Sequence, residues 1–124
     1  MVAWTSDELS KIARADELRI AAFRPDGTPR KPVTIWVVRH YDDIYVRSAY
    51  GRSAAWFRGT QERHEGRIEA GGVNKEVTFA DADPALNDEI DAVYRTKYRR
   101  YGAQYVNHIV APEARSTTIK VAPR

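Results

Sequence analysis

The segment 47–58 gathers residue types that bind phosphate groups. It contains Arg47, Ser48, Arg52 and Ser53, and the residues after Ser53 have the composition of a helix start. A guanidinium donates paired hydrogen bonds to phosphate oxygens, and hydroxyl groups and helix N-termini supply further donors. The segment therefore predicts a site for an anionic ligand. The residues alone leave a second interpretation open, in which this is a solvated basic loop.

Several aromatic residues could line a pocket for a planar ligand. Trp56 follows the basic residues, and Trp36 lies in the middle of a predicted strand. Four tyrosines are spaced so that they would share one face of a helix. Such a stripe either packs the helix against the fold or forms a pocket wall or a dimer interface. These tyrosines are Tyr94, Tyr98, Tyr101 and Tyr105.

The remaining residues form no recognisable catalytic or metal-binding motif. The histidines His40, His64 and His108 are far apart in sequence, so no metal site is predicted. The chain has no cysteine, which excludes disulfides and thiolate chemistry and suits a reducing compartment. The glycine motifs of nucleotide-binding loops and the nucleophile elbow of hydrolases are missing as well.

The size and charge of the chain limit the kind of protein it can be. Its 124 residues fit a single domain spanning 1–124. The net charge is +3, and acidic and basic residues alternate along most of the chain, so a nucleic-acid partner is not expected. No apolar stretch approaches the length of a membrane span, and residues 1–10 lack the features of a signal peptide. We therefore predict a soluble, cytoplasmic protein with no membrane partner.

Local signals near the N-terminus predict a helix followed by paired strands. Thr5 and Glu8 form a capping box, which starts a helix that ends near residue 15. The runs that follow are rich in β-branched and aromatic residues, which favour strands. The predicted elements are a strand at 18–23 and a hairpin of strands 33–41 and 44–48 that turns at Asp42 and Asp43.

The rest of the chain predicts more strands and two further helices. A short helix at 54–58 is capped by Ser53, and Asp83 with Pro84 starts the longest helix, which Gly102 bends or ends. About six strands, mostly joined as hairpins, indicate a mainly β fold, an antiparallel β-barrel with flanking helices. The remaining predicted strands are 66–70 and 73–79, joined by Gly71 and Gly72, and a closing strand at 116–121.

Three segments of this sequence resemble the bacterial DUF2255 family. They are 44–59, which contains the basic residues, 66–73 with its double glycine, and 94–98, and the similarity extends over about residues 4–122. That family is grouped with the FMN-binding split barrels, which include the pyridoxamine 5'-phosphate oxidase-like proteins and the deazaflavin-dependent nitroreductases. The resemblance implies a six-stranded split β-barrel that works as a homodimer.

The resemblance also implies a cofactor site. In such barrels, basic and hydroxyl side chains after a central hairpin strand hold the phosphate of the cofactor. The phosphate-binding runs of the oxidases and of the nitroreductases are not complete in this sequence, so FMN, coenzyme F420 and a member without cofactor stay as alternatives. By position, the cofactor-binding residues implied are Arg47, Ser48, Arg52 and Ser53, with Trp56 and Trp36 near the ring.

Two functions are compatible with these observations. The first is an oxidoreductase that binds FMN or F420, in which the cofactor carries the hydride chemistry and the protein orients it. The alternative is a non-catalytic module that binds haem, a nucleotide or another anionic small molecule, for which His64 or His108 would matter. The sequence alone does not decide whether the chain is an enzyme.

Overall fold

The structure is a computed structural model that describes residues 3–124. None of the helices in this part of the chain is long and apolar enough to span a membrane. The helices are α1 (Ser6–Arg14), α2 (Ala55–Glu62), α3 (Asn87–Lys97), α4 (Ala103–Ile109) and α5 (Pro112–Arg115). The strands are β1 (Glu17–Ala22), β2 (Val33–Trp36), β3 (Val38–His40), β4 (Asp43–Val46), β5 (Glu65–Ala70), β6 (Val73–Asp81) and β7 (Ile119–Pro123). Short 3-10 turns lie at Gly51–Ser53, Pro84–Leu86 and Arg99–Tyr101.

The strands form one antiparallel sheet that nearly closes into a barrel. Their order is β2-β1-β5-β6-β7-β4-β3, which places β2 and β3 at opposite edges of the sheet. In the chain, however, only Val37 separates these two strands. The segment 33–40 therefore joins the two edges. This architecture confirms the predicted mainly β fold, an antiparallel barrel with flanking helices.

The structure has seven strands where the sequence predicted six, because the predicted strand 33–41 is divided at Val37. The hydroxyl of Tyr98 accepts the Val37 N–H at 2.9 Å and lies 2.7 Å from the Val37 carbonyl oxygen. Lys97 Nζ donates to the same carbonyl at 2.7 Å. Lys97, the last residue of α3, and Tyr98, which follows it, thus satisfy both backbone groups of a buried residue. As a result β2 pairs with β1 while β3 pairs with β4, and the barrel is split between β2 and β4.

The turn of the first hairpin lies one residue earlier than predicted. His40 pairs with Asp43, so the two turn residues are Tyr41 and Asp42. This register places buried Val38 opposite buried Tyr45, and packing of these side chains outweighs the preference of two aspartates for the turn. Tyr41 adopts a positive φ of 55° as a consequence.

The start of α2 also differs from the prediction. Ser53 was expected to cap this helix, but the cap residue is Ala54, which forms no side-chain hydrogen bond. Ser53 belongs instead to the preceding 3-10 turn, where its Oγ lies 3.5 Å from the Tyr50 carbonyl oxygen.

The closing strand begins at Ile119 and not at Ser116. The Ser116 and Thr117 N–H groups donate to the carbonyls of Pro112 and Ala114, so both residues complete the turn after α5. The N–H groups of Ser116 and Thr117 are therefore bonded within this turn and do not pair with a neighbouring strand.

Signals that act locally are confirmed. Thr5 accepts the Glu8 N–H at 3.1 Å and Glu8 accepts the Thr5 N–H at 2.9 Å, which completes the capping box of α1. Gly71 and Gly72 take φ values of 56° and 88° in the turn between β5 and β6. Asp83 accepts the Ala85 N–H at 2.9 Å at the start of the 3-10 turn before α3.

Two apolar clusters hold the fold together. One includes buried side chains of β1, β5 and β7, such as Leu18, Ile68 and Val121. The other lies where α3 and α4 pack on β3 and β4, and it includes Tyr94 and Tyr98. Of the four tyrosines predicted to share one helix face, Tyr94 and Tyr98 are therefore core, whereas Tyr101 and Tyr105 lie beyond α3 and are exposed.

Candidate ligand-binding cleft

A cleft of about 470 Å³ opens where β2 separates from β4. Strand β2 forms one wall with all of its residues, and the chain that follows β4 forms the opposite wall. The first turn of α2 and one face of α4 contribute the remaining lining. The cleft is therefore a direct consequence of the break in strand pairing at Val37.

Aromatic side chains line this cleft on several sides. Trp36 and Trp56 are half-buried, whereas Tyr50 is 81% exposed and Tyr105 is 56% exposed. Aromatic rings offer flat, weakly polar surfaces that stack on planar ligands. A cleft of this size and lining is suited to a planar ring system.

Trp36 is held rigidly from behind by Tyr98. The two rings stack with centroids 4.0 Å apart and an interplanar angle of 6°. Tyr98 is in turn fixed by its hydroxyl, which lies 2.7 Å from the carbonyl oxygens of Val37 and Asp16. Burial raises the pKa of the Tyr98 phenol above its usual value, so it remains neutral. The indole wall of the cleft is thus preorganised.

The neighbouring Lys97 belongs to the same arrangement. Its Nζ donates to the carbonyls of Ala15 and Val37 at 2.6 and 2.7 Å. Burial lowers the pKa of Lys97 to about 8, because the charged form loses hydration. The amine therefore joins the end of α1 to the break between β2 and β3.

Arg47 lies at the wall of the cleft, but its side chain is 0% exposed. Its Nε donates to Thr118 Oγ1 at 2.9 Å. Its Nη1 donates to Asp91 Oδ1 at 2.5 Å and to the Ile109 carbonyl at 3.1 Å. Its Nη2 donates to the carbonyl and the Oδ1 of Asn87, each at 3.2 Å. A guanidinium has five N–H donors, and each has an acceptor within the protein.

This network neutralises Arg47 internally. Asp91 supplies the opposite charge, and the Tyr94 ring lies with its centroid 5.3 Å from the Arg47 guanidinium carbon. Burial raises the pKa of Tyr94, so its hydroxyl adds no second negative charge. The expectation that Arg47 holds a phosphate is not supported by this geometry, because no donor is left for a ligand. Arg47 instead joins the end of β4 to α3, to α4 and to Thr118, the residue before β7.

Ser48 is buried behind the cleft wall. Its N–H donates to Thr117 Oγ1 at 2.8 Å. Its own Oγ is buried and has no hydrogen-bond partner within residues 3–124. Ser48 is not among the residues that line the cleft. The Ser48 side chain therefore does not reach the cleft, as its predicted role in phosphate binding would require.

Arg52 and Ser53 lie on the surface, in the 3-10 turn between Tyr50 and Ala54. Both flanking residues line the cleft, so the turn forms part of its rim. Arg52 Nη1 donates to the Ser116 carbonyl at 2.8 Å, and its guanidinium carbon lies 5.2 Å from the centroid of the Phe57 ring. The other guanidinium N–H groups of Arg52 form no hydrogen bond within residues 3–124, and the side chain is exposed.

The structure brings together only part of the predicted site. Arg47, Trp36 and Trp56 reach the cleft, Ser48 lies behind it, and Arg52 and Ser53 lie at its rim, as described above. Sequence reasoning named Tyr105 as a possible pocket-wall residue and His108 as a possible haem-binding residue, but it did not identify β2 as a whole wall or place these two residues in the same cleft. A signal for α4 existed, since Tyr105 and His108 are three residues apart and share a helix face.

The three histidines have separate environments. His108 is exposed and lines the cleft, whereas His64 is exposed outside it. His40 Nε2 lies 3.3 Å from Glu89 Oε1. In the described part of the chain no group of three His, Asp or Glu side chains is arranged to hold a metal ion.

Comparison with known proteins identifies the family and the fold. The family model described as "Uncharacterized protein conserved in bacteria (DUF2255)" matches residues 8–121. None of the curated proteins matches this sequence.

Solved structures with this fold share little sequence with the chain. HutZ, the haem storage protein from Vibrio cholerae, is 12% identical, with a TM-score of 0.62 over 100% of this chain and 92% of that one. An F420 reductase is 17% identical, with a TM-score of 0.56 over 93% and 91% of the two chains. A FAD-binding protein from Mesorhizobium loti is 14% identical, with a TM-score of 0.53 over 98% and 91%. At these identities the similarity establishes a split-barrel fold and no specific function.

Proposed function

The chain belongs to the DUF2255 family and has a split-barrel fold, and from this premise we propose that it binds a flavin-type cofactor, FMN or F420, as an oxidoreductase. The ring system occupies the cleft between β2 and the chain after β4. The F420 reductase and the FAD-binding protein of the same fold support this choice of ligand class.

The observation that carries the proposal is the aromatic lining of the cleft at the split in the barrel. Trp36 and Trp56 both line it, and Trp36 is held in place by its stack on Tyr98. A planar ring between such walls excludes water and gains stacking contacts at little conformational cost to the protein. The cleft therefore fits the ring part of the cofactor.

The phosphate end is assigned to the rim. Arg52 is an exposed arginine in the turn that forms the rim of the cleft, and Ser53 adds a hydroxyl beside it. Helix α2 starts at the same place, with no side chain capping its first N–H groups. A phosphate there meets a cation and several donors. Arg47 has a different role in this proposal, because it positions the wall without contacting the phosphate.

The chemistry in this proposal comes from the cofactor, which supplies hydride transfer when bound. The protein orients the ring with Trp36 and Trp56 and limits access of water. His108 and Tyr105 line the cleft with exposed side chains. These two side chains are positioned to hydrogen-bond a polar substrate group.

We further propose that the working form is a homodimer. The exposed side chains of Val33, Tyr50 and Tyr105 surround the cleft, which leaves a partly apolar surface open to solvent. A second copy of the chain would cover this surface and close the cleft. Sedimentation or light scattering is expected to give twice the mass of 14.1 kDa, and a monomer at all concentrations would contradict the dimer.

The test of cofactor binding is a fluorescence titration with FMN and with F420. Saturable binding of one of them is expected, with quenched cofactor fluorescence because the ring stacks on tryptophan. Trp56→Ala weakens binding in this proposal. Tyr41→Ala is the matched control, since Tyr41 is an exposed aromatic residue that does not line the cleft. Equal affinities in both variants would remove Trp56 from the site.

Haem binding is a second candidate function, favoured by the position of His108. This residue lines the cleft, and the haem storage protein HutZ has the same fold. If haem is the ligand, addition of haem gives a sharp Soret band that His108→Ala abolishes. His64→Ala keeps the band, because His64 lies outside the cleft. FMN or F420 binding together with no Soret band would exclude this alternative.

A further inference from the structure

A pair of aromatic side chains leads from the cleft to the protein surface. Trp36 lines the cleft, and the ring of Tyr101 lies 5.4 Å from it with an interplanar angle of 43°. Tyr101 is 40% exposed. The two rings therefore connect the cleft with the solvent without passing through the interior of the barrel.

The hydroxyl group of Tyr101 is bonded to a base. It donates to Asp16 Oδ2 at 2.6 Å, and the same carboxylate pairs with Arg100. A phenol becomes a far stronger acid when it loses an electron, so an oxidised tyrosine needs an acceptor for its proton. The Asp16 carboxylate is such an acceptor, and it is already hydrogen-bonded to the phenol.

Tyr98 touches the same indole but lacks these properties. Its hydroxyl is bonded to backbone groups of Val37 and Asp16, which are poor proton acceptors. A cation lies beside both rings, Lys97 Nζ 5.2 Å from the Tyr98 centroid and the Arg100 guanidinium carbon 4.7 Å from the Tyr101 centroid. The two phenols thus differ in their proton acceptors and not in nearby charge. Tyr98 therefore supports Trp36 mechanically, while Tyr101 is the residue that can be oxidised and deprotonated.

We propose that Trp36, Tyr101 and Asp16 carry oxidising equivalents from the cleft to the surface. A one-electron oxidant in the cleft, such as a photo-excited flavin, takes one electron from Trp36 and is reduced by it. The indole cation radical then takes one electron from Tyr101, and the phenolic proton moves to the Asp16 carboxylate. Trp36 is restored, and an external one-electron reductant such as a thiolate, which becomes a thiyl radical, returns the tyrosyl radical to tyrosine at the surface while the proton moves back from Asp16.

Only the natural oxidant of this path rests on the proposed function. The residues themselves can be oxidised in protein that holds no cofactor, so the path and the cofactor proposal fail or succeed separately. Azide radicals made by pulse radiolysis serve as the oxidant, because they react with indoles in preference to neutral phenols.

In the wild-type protein, the tryptophanyl radical is expected to decay in a first-order phase that does not depend on protein concentration. A tyrosyl radical rises at the same rate. Trp36→Phe and Tyr101→Phe both lose this phase, and Asp16→Asn slows it because the proton acceptor is gone. Circular dichroism of each variant confirms that the fold is retained.

Two matched variants serve as controls. Trp56→Phe keeps the phase, because Trp56 contacts Phe57 instead of a tyrosine. Tyr105→Phe also keeps it, although Tyr105 is another exposed tyrosine of the cleft. The path would be overturned if Tyr101→Phe kept the first-order phase. It would also be overturned if Tyr98→Phe were the only tyrosine variant to lose that phase. If FMN and F420 do not bind, the cofactor proposal fails while these radical measurements still decide the path.

Discussion

The two ends of the segment 47–53 carry the same residue types and have opposite environments. At one end, Arg47 and Ser48 are buried, and Arg47 is enclosed by α3, α4 and Thr118. At the other end, Arg52 and Ser53 are exposed at the rim of the cleft. This difference shows that the sequence pattern Arg-Ser does not by itself define a phosphate site. A phosphate site needs hydrogen-bond donors that are free at the surface, and of the two ends only Arg52 and Ser53 have them.

Gly51 allows the chain to change from one environment to the other. It takes a positive φ of 78°, and a Cβ at this position would lie 3.4 Å from Glu113 Cβ. Glycine is the residue that adopts this conformation without steric cost. The turn directs the chain out of the core between Ser48 and Arg52.

The largest expected effect in this comparison is on stability at the buried end. Arg47→Ala removes one partner of a buried ion pair, which costs about 3–5 kcal/mol of the free energy of unfolding; Asp91 keeps only the longer contact of its Oδ2 with Arg115 Nε at 3.4 Å. Arg52→Ala changes it by no more than about 0.5 kcal/mol, because the side chain is exposed. Chemical denaturation of both variants checks this. Equal stabilities would show that the buried network does not hold the fold.

The next effect is on binding at the exposed end. Arg52→Ala removes a charge-assisted hydrogen bond to the cofactor phosphate, worth about 1.5–3 kcal/mol, so Kd for the cofactor rises about 10- to 100-fold. Arg99→Ala is the matched control, since Arg99 is exposed in another 3-10 turn and does not line the cleft. The same Kd in both variants would remove Arg52 from the site.

A smaller effect sharpens the assignment of Arg47. Thr118→Val keeps the shape of the side chain but removes the acceptor of Arg47 Nε. A buried donor left without a partner costs about 1–3 kcal/mol. Thr96→Val on the exposed face of α3 is the control and has little effect on the unfolding midpoint. If both substitutions leave the midpoint unchanged, the hydrogen bond to Thr118 does not contribute to stability.

Much of the fold could be predicted because its signals are local. The capping box at Thr5 and the glycine pair at Gly71 act over a few residues, and the structure has both. The division of the strand at Val37 could not be predicted in the same way. It depends on the Tyr98 hydroxyl, which lies 61 residues away in the sequence.

The same distinction applies to the candidate site. Arg47 has the residue type and the position of a phosphate ligand, but its partners Asn87 and Thr118 are 40 and 71 residues away. No local sequence pattern indicates that these groups enclose Arg47. The exposure of Arg52 also depends on long-range packing. The cleft arises from β2, α2 and α4 together, so its volume and lining become visible only once the barrel is assembled.

Titration of the wild-type protein with FMN and F420 tests the central claim most directly, with fluorescence of the cofactor as the signal. We expect saturable binding of one of them at one molecule per chain, with quenched fluorescence from stacking on the tryptophans of the cleft. Unchanged fluorescence of both cofactors, at protein concentrations high enough to detect weak binding, would contradict it.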